Sequence, residues 1–104
     1  MRKNGFQWTS ATAAVLLAIG AGHRYGFDVM EATGLPSGTV YPALRRLGKK
    51  RLLRSDWEAD EVAKDAGRPR RKYYLLTESG LEALEEASKR FPMFAAALAR
   101  PVSD

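Results

Sequence analysis

The sequence predicts a small, mainly α domain carrying a single β-hairpin, and three observations predict it. Apolar residues recur at helical spacing through Val40, Ala43, Leu44 and Leu47. After Arg51 the period switches to two, with Leu53, Ser55 and Trp57 alternating with Arg54, Asp56 and Glu58, and a second such run covers Lys72 to Leu76. Helical spacing returns after Thr77. At 104 residues, 45% apolar and 28% charged, the chain has the composition of one soluble globular domain.

Thr9 to Ala21 is rich in Ala, Leu and Val and is closed by Gly20 and Gly22, which predicts a first helix buried over much of its circumference. Its apolar run, Ala11 to Ile19, is about half of what a membrane-crossing helix requires. Gly22-His23-Arg24-Tyr25 lacks the small-residue pattern of a signal cleavage site. A cytoplasmic protein without a membrane segment is therefore expected. A second helix is expected over Phe27 to Thr33, with Phe27 and Met30 on one face, ending at Gly34, a residue type that accepts left-handed backbone.

Leu35-Pro36 leads into a third helix, Ser37 to Lys50. Val40, Ala43, Leu44 and Leu47 make one apolar face; Gly38, Pro42, Arg45 and Lys49 fall opposite it, with Tyr41 and Arg46 on the flanks. An interior proline removes a backbone hydrogen bond, so Pro42 requires a helix that starts near Ser37 to Thr39. Two helices joined by a short glycine-containing turn are a helix-turn-helix signature. The polar stretch Ala59 to Pro69 is expected as a long loop between the two strands. Thr77 has N-cap chemistry, and Leu81, Leu84, Ser88 and Phe91 continue one helical face. Pro92 should break or kink that helix, or open a new one. Helix, helix, helix, hairpin, helix is the order of a winged helix-turn-helix, here residues 1–76, with a C-terminal helical segment, 77–104.

Composition narrows the function classes. There is no cysteine and one histidine, His23, which removes thiolate chemistry and most zinc sites and leaves a Ser-His-Asp triad a single candidate base. No cofactor or metal site and no catalytic set is expected. The charge is unevenly spread: residues 36–72 hold eleven basic and five acidic side chains, +6, against +5 for the whole chain. A field of one sign on part of a small domain favours a polyanionic partner, although a merely solvated basic face has the same composition.

Three groups of residues carry the expected chemistry. In the third helix, Ser37, Gly38 and Thr39 suit close approach to base edges and phosphates, Tyr41 can reach either, and Arg45, Arg46 and Lys49 can neutralise phosphates. In the second strand's approach, Arg68, Arg70, Arg71 and Lys72, stiffened by Pro69, suit a narrow minor groove; Asp60, Glu61 and Asp65 are expected on the far side or at a mobile tip. In the C-terminal segment, Phe91, Met93, Phe94 and Leu98 are candidates for a homodimer interface, the alternative being that they fold back on the first helix of the same chain. Trp8 and Trp57 are candidates to line a pocket at a dimer interface for a small planar or aromatic effector, though tryptophans are more often core or interface anchors. Two rivals stay open: a nonspecific nucleic-acid module, for which the basic stretch suffices, and an antirepressor-like winged helix that binds another protein through Phe91 to Leu98.

Three strings in order, YGFDVMEATGLPSGTVYPALRRL from Tyr25, RLLRSDWE from Arg51 and GRPRRKYYLLTESG from Gly67, make the chain resemble the PadR family of bacterial transcriptional regulators over about Tyr25 to Leu84. The resemblance implies a winged helix that binds operator double-stranded DNA as a homodimer, usually as a repressor, and dimerises through its C-terminal helix. Its recognition-helix positions fall on Ser37, Gly38, Thr39, Tyr41 and Arg45, and its wing positions on Arg68, Arg70, Arg71 and Lys72. Gly48 stands where the family usually has an acidic residue, so fraying is expected at the end of the third helix.

Overall fold

The computed structural model describes residues 6–99; residues 1–5 and 100–104, the outer ends of the two expected segments, lie outside the described residues. The elements are α1 (Ser10–Gly20), α2 (Gly26–Thr33), α3 (Ser37–Lys49), β1 (Leu53–Trp57), α4 (Asp60–Ala66), β2 (Lys72–Leu76), α5 (Glu78–Arg90) and α6 (Pro92–Leu98). This is the winged helix-turn-helix order, with one helix in the wing that the sequence did not announce.

Thr9 starts α1 with a reciprocal cap: its hydroxyl accepts the Thr12 N–H at 3.1 Å, and the Thr12 hydroxyl accepts the Thr9 N–H at 3.0 Å. Every residue from Thr12 to Ile19 is buried. The absence of periodicity in this run has a simple cause, because α2, α3, α5 and α6 all pack around it.

α2 begins one residue earlier than expected and turns a different face inward. Val29 is fully buried while Phe27 is 58% exposed, so Phe27 and Met30 do not form the core stripe. The reason lies at Gly26, which is buried against the Tyr41 ring of α3: a Cβ there would stand 2.3 Å from the Tyr41 hydroxyl. Close approach of the two helices at this glycine fixes which side of α2 reaches α1. Gly34 ends α2 in the left-handed region at φ 74°.

α3 buries Val40, Ala43, Leu44 and Leu47 as the spacing predicts. Pro42 sits in its second turn, later than a proline is best tolerated; the carbonyl of Gly38 thereby loses its N–H partner, and Gly38 is exposed, so water can replace it. The helix runs through Gly48 without fraying. The Leu52 N–H donates to the Leu47 carbonyl at 3.0 Å and the Arg51 N–H to the Gly48 carbonyl at 2.9 Å, a Schellman closure in which Arg51 takes the left-handed conformation, φ 61°. Leu47 and Leu52, the two residues such a motif brings together, are both fully buried.

β1 and β2 form a two-stranded antiparallel sheet in the register Leu53↔Leu76, Ser55↔Tyr74, Trp57↔Lys72. Tyr25 bridges to Tyr73, and the Tyr74 N–H donates to the Arg24 carbonyl at 2.9 Å. The segment expected as a loop instead contains α4. It is closed by Gly67 at φ 68°, and Ala63 is its buried residue.

Thr77 caps α5 by accepting the Gly80 N–H at 2.9 Å. The buried stripe of α5 is Gly80, Ala83 and Ala87 with Leu84 half-buried, whereas Leu81, expected on one face with Leu84, Ser88 and Phe91, is 56% exposed. Gly80 sets that rotation, since a Cβ there would stand 2.0 Å from the Leu52 carbonyl oxygen. Phe91, at φ −129° and ψ 64°, leaves the helical region, and Pro92 starts a separate helix. α6 folds back on α1 of its own chain.

Candidate nucleic-acid interface

The interface candidates start from α3, whose burial of one face leaves the other in solvent. Ser37, Gly38, Tyr41, Arg45, Arg46 and Lys49 are exposed and Thr39 is half-exposed. Spacing singles out all seven, and the helix brings them to one surface. The N-terminal end carries the small side chains, and no Cβ-sized obstruction lies within 4 Å of Gly38. The hydroxyl end of the Tyr41 ring packs against Gly26, and the residue remains 42% exposed. Arg46 and Lys49 stand in the last turn, where cations favourably meet the helix dipole.

The wing is assembled around a carboxylate the sequence did not single out. Glu58 comes directly after β1 and is 6% exposed, although the alternation of β1 put it on the polar side. Arg68 grips it with two hydrogen bonds, Nη1 to Oε1 at 2.6 Å and Nη2 to Oε2 at 3.1 Å. The Arg71 backbone N–H donates to Oε1 at 3.0 Å, and the Tyr25 hydroxyl to Oε2 at 3.2 Å. The Arg68 hydrogen bond, followed by those from Arg71 and Tyr25, holds the carboxyl at about 2, against burial, which acts the other way. The same pairing raises the Arg68 guanidinium further above its ordinary value.

Each wing cation therefore has a distinct setting. Arg68 is committed to Glu58, aimed there by the left-handed turn at Gly67. Arg71 lies over the Tyr25 ring at 4.1 Å, its Nε 3.7 Å from Glu58. Arg70 donates Nε to the Glu58 carbonyl at 2.9 Å, and Nε is also 3.6 Å from Asp60. Arg70 and Lys72 both lean on the ring of Trp57, at 5.8 and 5.7 Å from its centroid. The acidic residues of the wing are not confined to a far side or tip, since Asp60 faces Arg70. Glu58 and Tyr25 escape sequence reasoning because their role is tertiary; the one local signal is a lone acid at a strand end, ten residues before the first of three arginines.

Trp57 is 51% exposed, and it lines a groove of about 630 Å³ between α3 and the hairpin with Tyr41, Arg45, Arg54, Ser55 and Lys72 among its walls. Trp8 is not part of that wall. It packs edge-on against Phe6 at 4.8 Å, half-buried against the core, with its indole N–H buried and without a partner among the described residues. The two tryptophans do not share this cavity, because one belongs to the approach to α1 and the other to the wing. Tyr74, also in the groove wall, has its hydroxyl pushed up by burial and then by Tyr41.

The C-terminal candidates divide. Phe91 and Leu98 are half-buried against their own core, while Met93 is 79% and Phe94 37% exposed, with the Phe91 and Phe94 rings stacked at 5.7 Å. Ala11, Ala14, Leu35, Phe94 and Leu98 line a small apolar cavity of about 220 Å³ between α1, α2 and α6. Among the described residues there is no cluster of three metal-ligating side chains, and no helix is long and apolar enough to cross a membrane.

The family model for the PadR-like transcriptional regulators matches residues 15–86. The chain belongs to the PadR family. Among solved structures it is similar to a PadR family transcription regulator from Clostridium difficile, with TM-score 0.69 and 23% identity over 86% of this chain and 95% of that one. A PadR-like transcriptional regulator from Bacillus cereus gives TM-score 0.60 and 27% identity over 86% and 88%. The fold extends to ZitR of Lactococcus lactis, solved in complex with DNA, at TM-score 0.64 and 16% identity over 92% and 62%. No protein of curated function matches this PadR-family chain in sequence. The match runs from within α1 to within α5, so the helix-turn-helix and wing lie wholly inside it.

Proposed function

We propose that this PadR-family protein is a cytoplasmic repressor that binds operator DNA as a homodimer, with α3 in the major groove and the wing on the adjacent minor groove or backbone. The observation that carries the reading is α3 itself. One face is locked into the core while the other offers small polar residues at the N-terminal end and Arg45, Arg46 and Lys49 further along. That ZitR, which shares the fold, was solved in complex with DNA supports DNA as the partner.

Within this reading the four wing cations take different roles. Arg70 and Lys72 contact phosphate or minor groove; Arg68 and Arg71 hold the wing in shape through Glu58 and Tyr25. The homodimer uses the exposed side of α6, centred on Met93 and Phe94, where a large apolar patch would otherwise face water. Trp8 and Trp57 are apart within one chain, so a pocket for a small planar effector that uses both would form between the protomers of the homodimer.

The test is fluorescence anisotropy with a duplex from the region upstream of the protein's own gene and a scrambled duplex, at two salt concentrations. A preference of about a thousandfold or more is expected, and Arg45→Ala should lower the salt slope by about one charge. Equal, strongly salt-dependent binding to every duplex recovered from a random library would leave a nonspecific module. No binding at low salt would end the DNA reading and favour a protein partner.

A further inference from the structure

A major groove and its neighbouring minor groove are separated by one sugar-phosphate strand. A protein that inserts a helix into one and a wing into the other must let that strand pass between them. In this molecule the space between helix and wing is the groove of about 630 Å³, and its character is specific. Arg45, Arg54 and Lys72 line it and no carboxylate does. Tyr41 and Ser55 belong to the same lining, and both residue types carry hydroxyl donors of the kind that contact phosphates.

Trp57 explains how the wing side of this groove is organised. It pairs directly with Lys72 across the two strands, so both side chains share one face of the hairpin. Lys72 reaches the ring from that position, and Arg70 reaches it because its Nε is tied to the Glu58 carbonyl. The indole is 51% exposed, so the cations that rest on it stay open to a ligand. An uncharged planar guest would strip water from three cations and leave them unpaired, whereas a phosphodiester strand neutralises them and releases counterions.

We infer that this groove is the seat of the phosphodiester strand running between the two DNA grooves, and that Trp57 is a positioning residue that presents Arg70 and Lys72 to it. The inference deepens the DNA reading above and rests on it. It adds Arg54, Ser55 and Trp57 to the binding surface and gives the exposed tryptophan a role.

Because a backbone contact ignores sequence, a labelled pool of random-sequence duplexes at low salt suffices for the test. In a Trp8→Phe protein, Trp57 is the sole indole, and its acrylamide quenching should fall about twofold or more on saturation with duplex as the ring is covered. Trp57→Ala should weaken binding about three- to tenfold, with Trp57→Phe restoring most of the loss, because a cation can still rest on the smaller ring. Lys72→Gln should lower the salt slope by about one. If anisotropy reports binding while Trp57 stays as accessible as in the free protein and Trp57→Ala binds like the parent, the seat is wrong and the DNA reading stands. If no duplex raises the anisotropy, the DNA reading fails and the seat with it.

Discussion

α3 and the wing lie side by side on one surface, yet α3 is fixed by a dry apolar seam and the wing by charge. Val40, Ala43, Leu44 and Leu47 press α3 onto a helix that is itself buried on all sides. The wing has one well-buried apolar contact of its own, Ala63, and otherwise depends on one carboxylate that gathers Arg68, the Arg71 amide and Tyr25. Apolar burial is insensitive to pH and salt but senses volume; a charged knot senses protonation and geometry. The two halves of the binding surface should therefore fail under different insults.

Leu16, with no exposure, sits at the centre of the seam. Leu16→Ala should cost about 2–5 kcal/mol, lowering the melting temperature by roughly 4–8 °C per kcal/mol, while the fraction still folded binds duplex with unchanged affinity. Glu58→Gln should lower both: the melting temperature falls because Arg68 loses its charged partner, and duplex affinity drops about three- to tenfold because the wing loses the group that preorganises it. Calorimetry and anisotropy on both variants decide whether core and wing are separable.

Acid should sharpen the contrast further. Glu58 titrates at about 2 when folded against 4.5 ordinarily. A depressed carboxyl contributes its full stability above pH 4.5 and loses it as the pH falls towards 2. Urea unfolding should show stability falling across that window in the parent and less steeply in Glu58→Gln, and the Glu58 carboxyl carbon should titrate near the lower value by NMR. The smallest effect belongs to the boundary between the two regions. Arg51 holds a left-handed backbone that glycine adopts without strain, so Arg51→Gly should stabilise by up to about 1 kcal/mol, read as a rise in melting temperature.

Legibility in the sequence divides along the same line. Elements stabilised by local pattern can be read directly: the α3 stripe, the caps at Thr9 and Thr77, the Gly34 turn, and the strands on either side of the wing. The family strings rest on the same segment. Features set by contacts between distant residues escape. Spacing puts Phe27 with Met30 and Leu81 with Leu84 on one face each, but Gly26 lies against the tip of the Tyr41 ring and Gly80 against the Leu52 main chain, and the buried sides of the two helices follow those contacts instead. In the polar run 59–69, Ala59, Val62, Ala63 and Ala66 stand at helical spacing before Gly67, but small side chains among charges make a faint stripe that is easily read as loop, and in α4 only Ala63 is buried. Glu58 looks outward by alternation, and its burial makes sense only once three arginines return to it from the other strand. The cationic surface can be read from charge alone; the distinction between cations that hold the wing and cations left to bind cannot.

The contact at Gly80 has a mechanical meaning. Where the first turn of α5 meets Leu52, just before β1, backbone meets backbone with no side chain between them, since even a methyl group would overlap the Leu52 carbonyl. Side-chain layers can slide by changing rotamers, whereas two abutting main chains cannot. The Thr77 N–H donates to the same carbonyl at 3.2 Å, and the Thr77 hydroxyl donates to that of Arg51 at 2.6 Å, pinning the joint on both sides. The C-terminal helices and the root of the hairpin thus behave as a stiff crank with almost no backlash. A tilt of α5 would have to carry the root of β1 with it, since neither main chain has room to slip past the other.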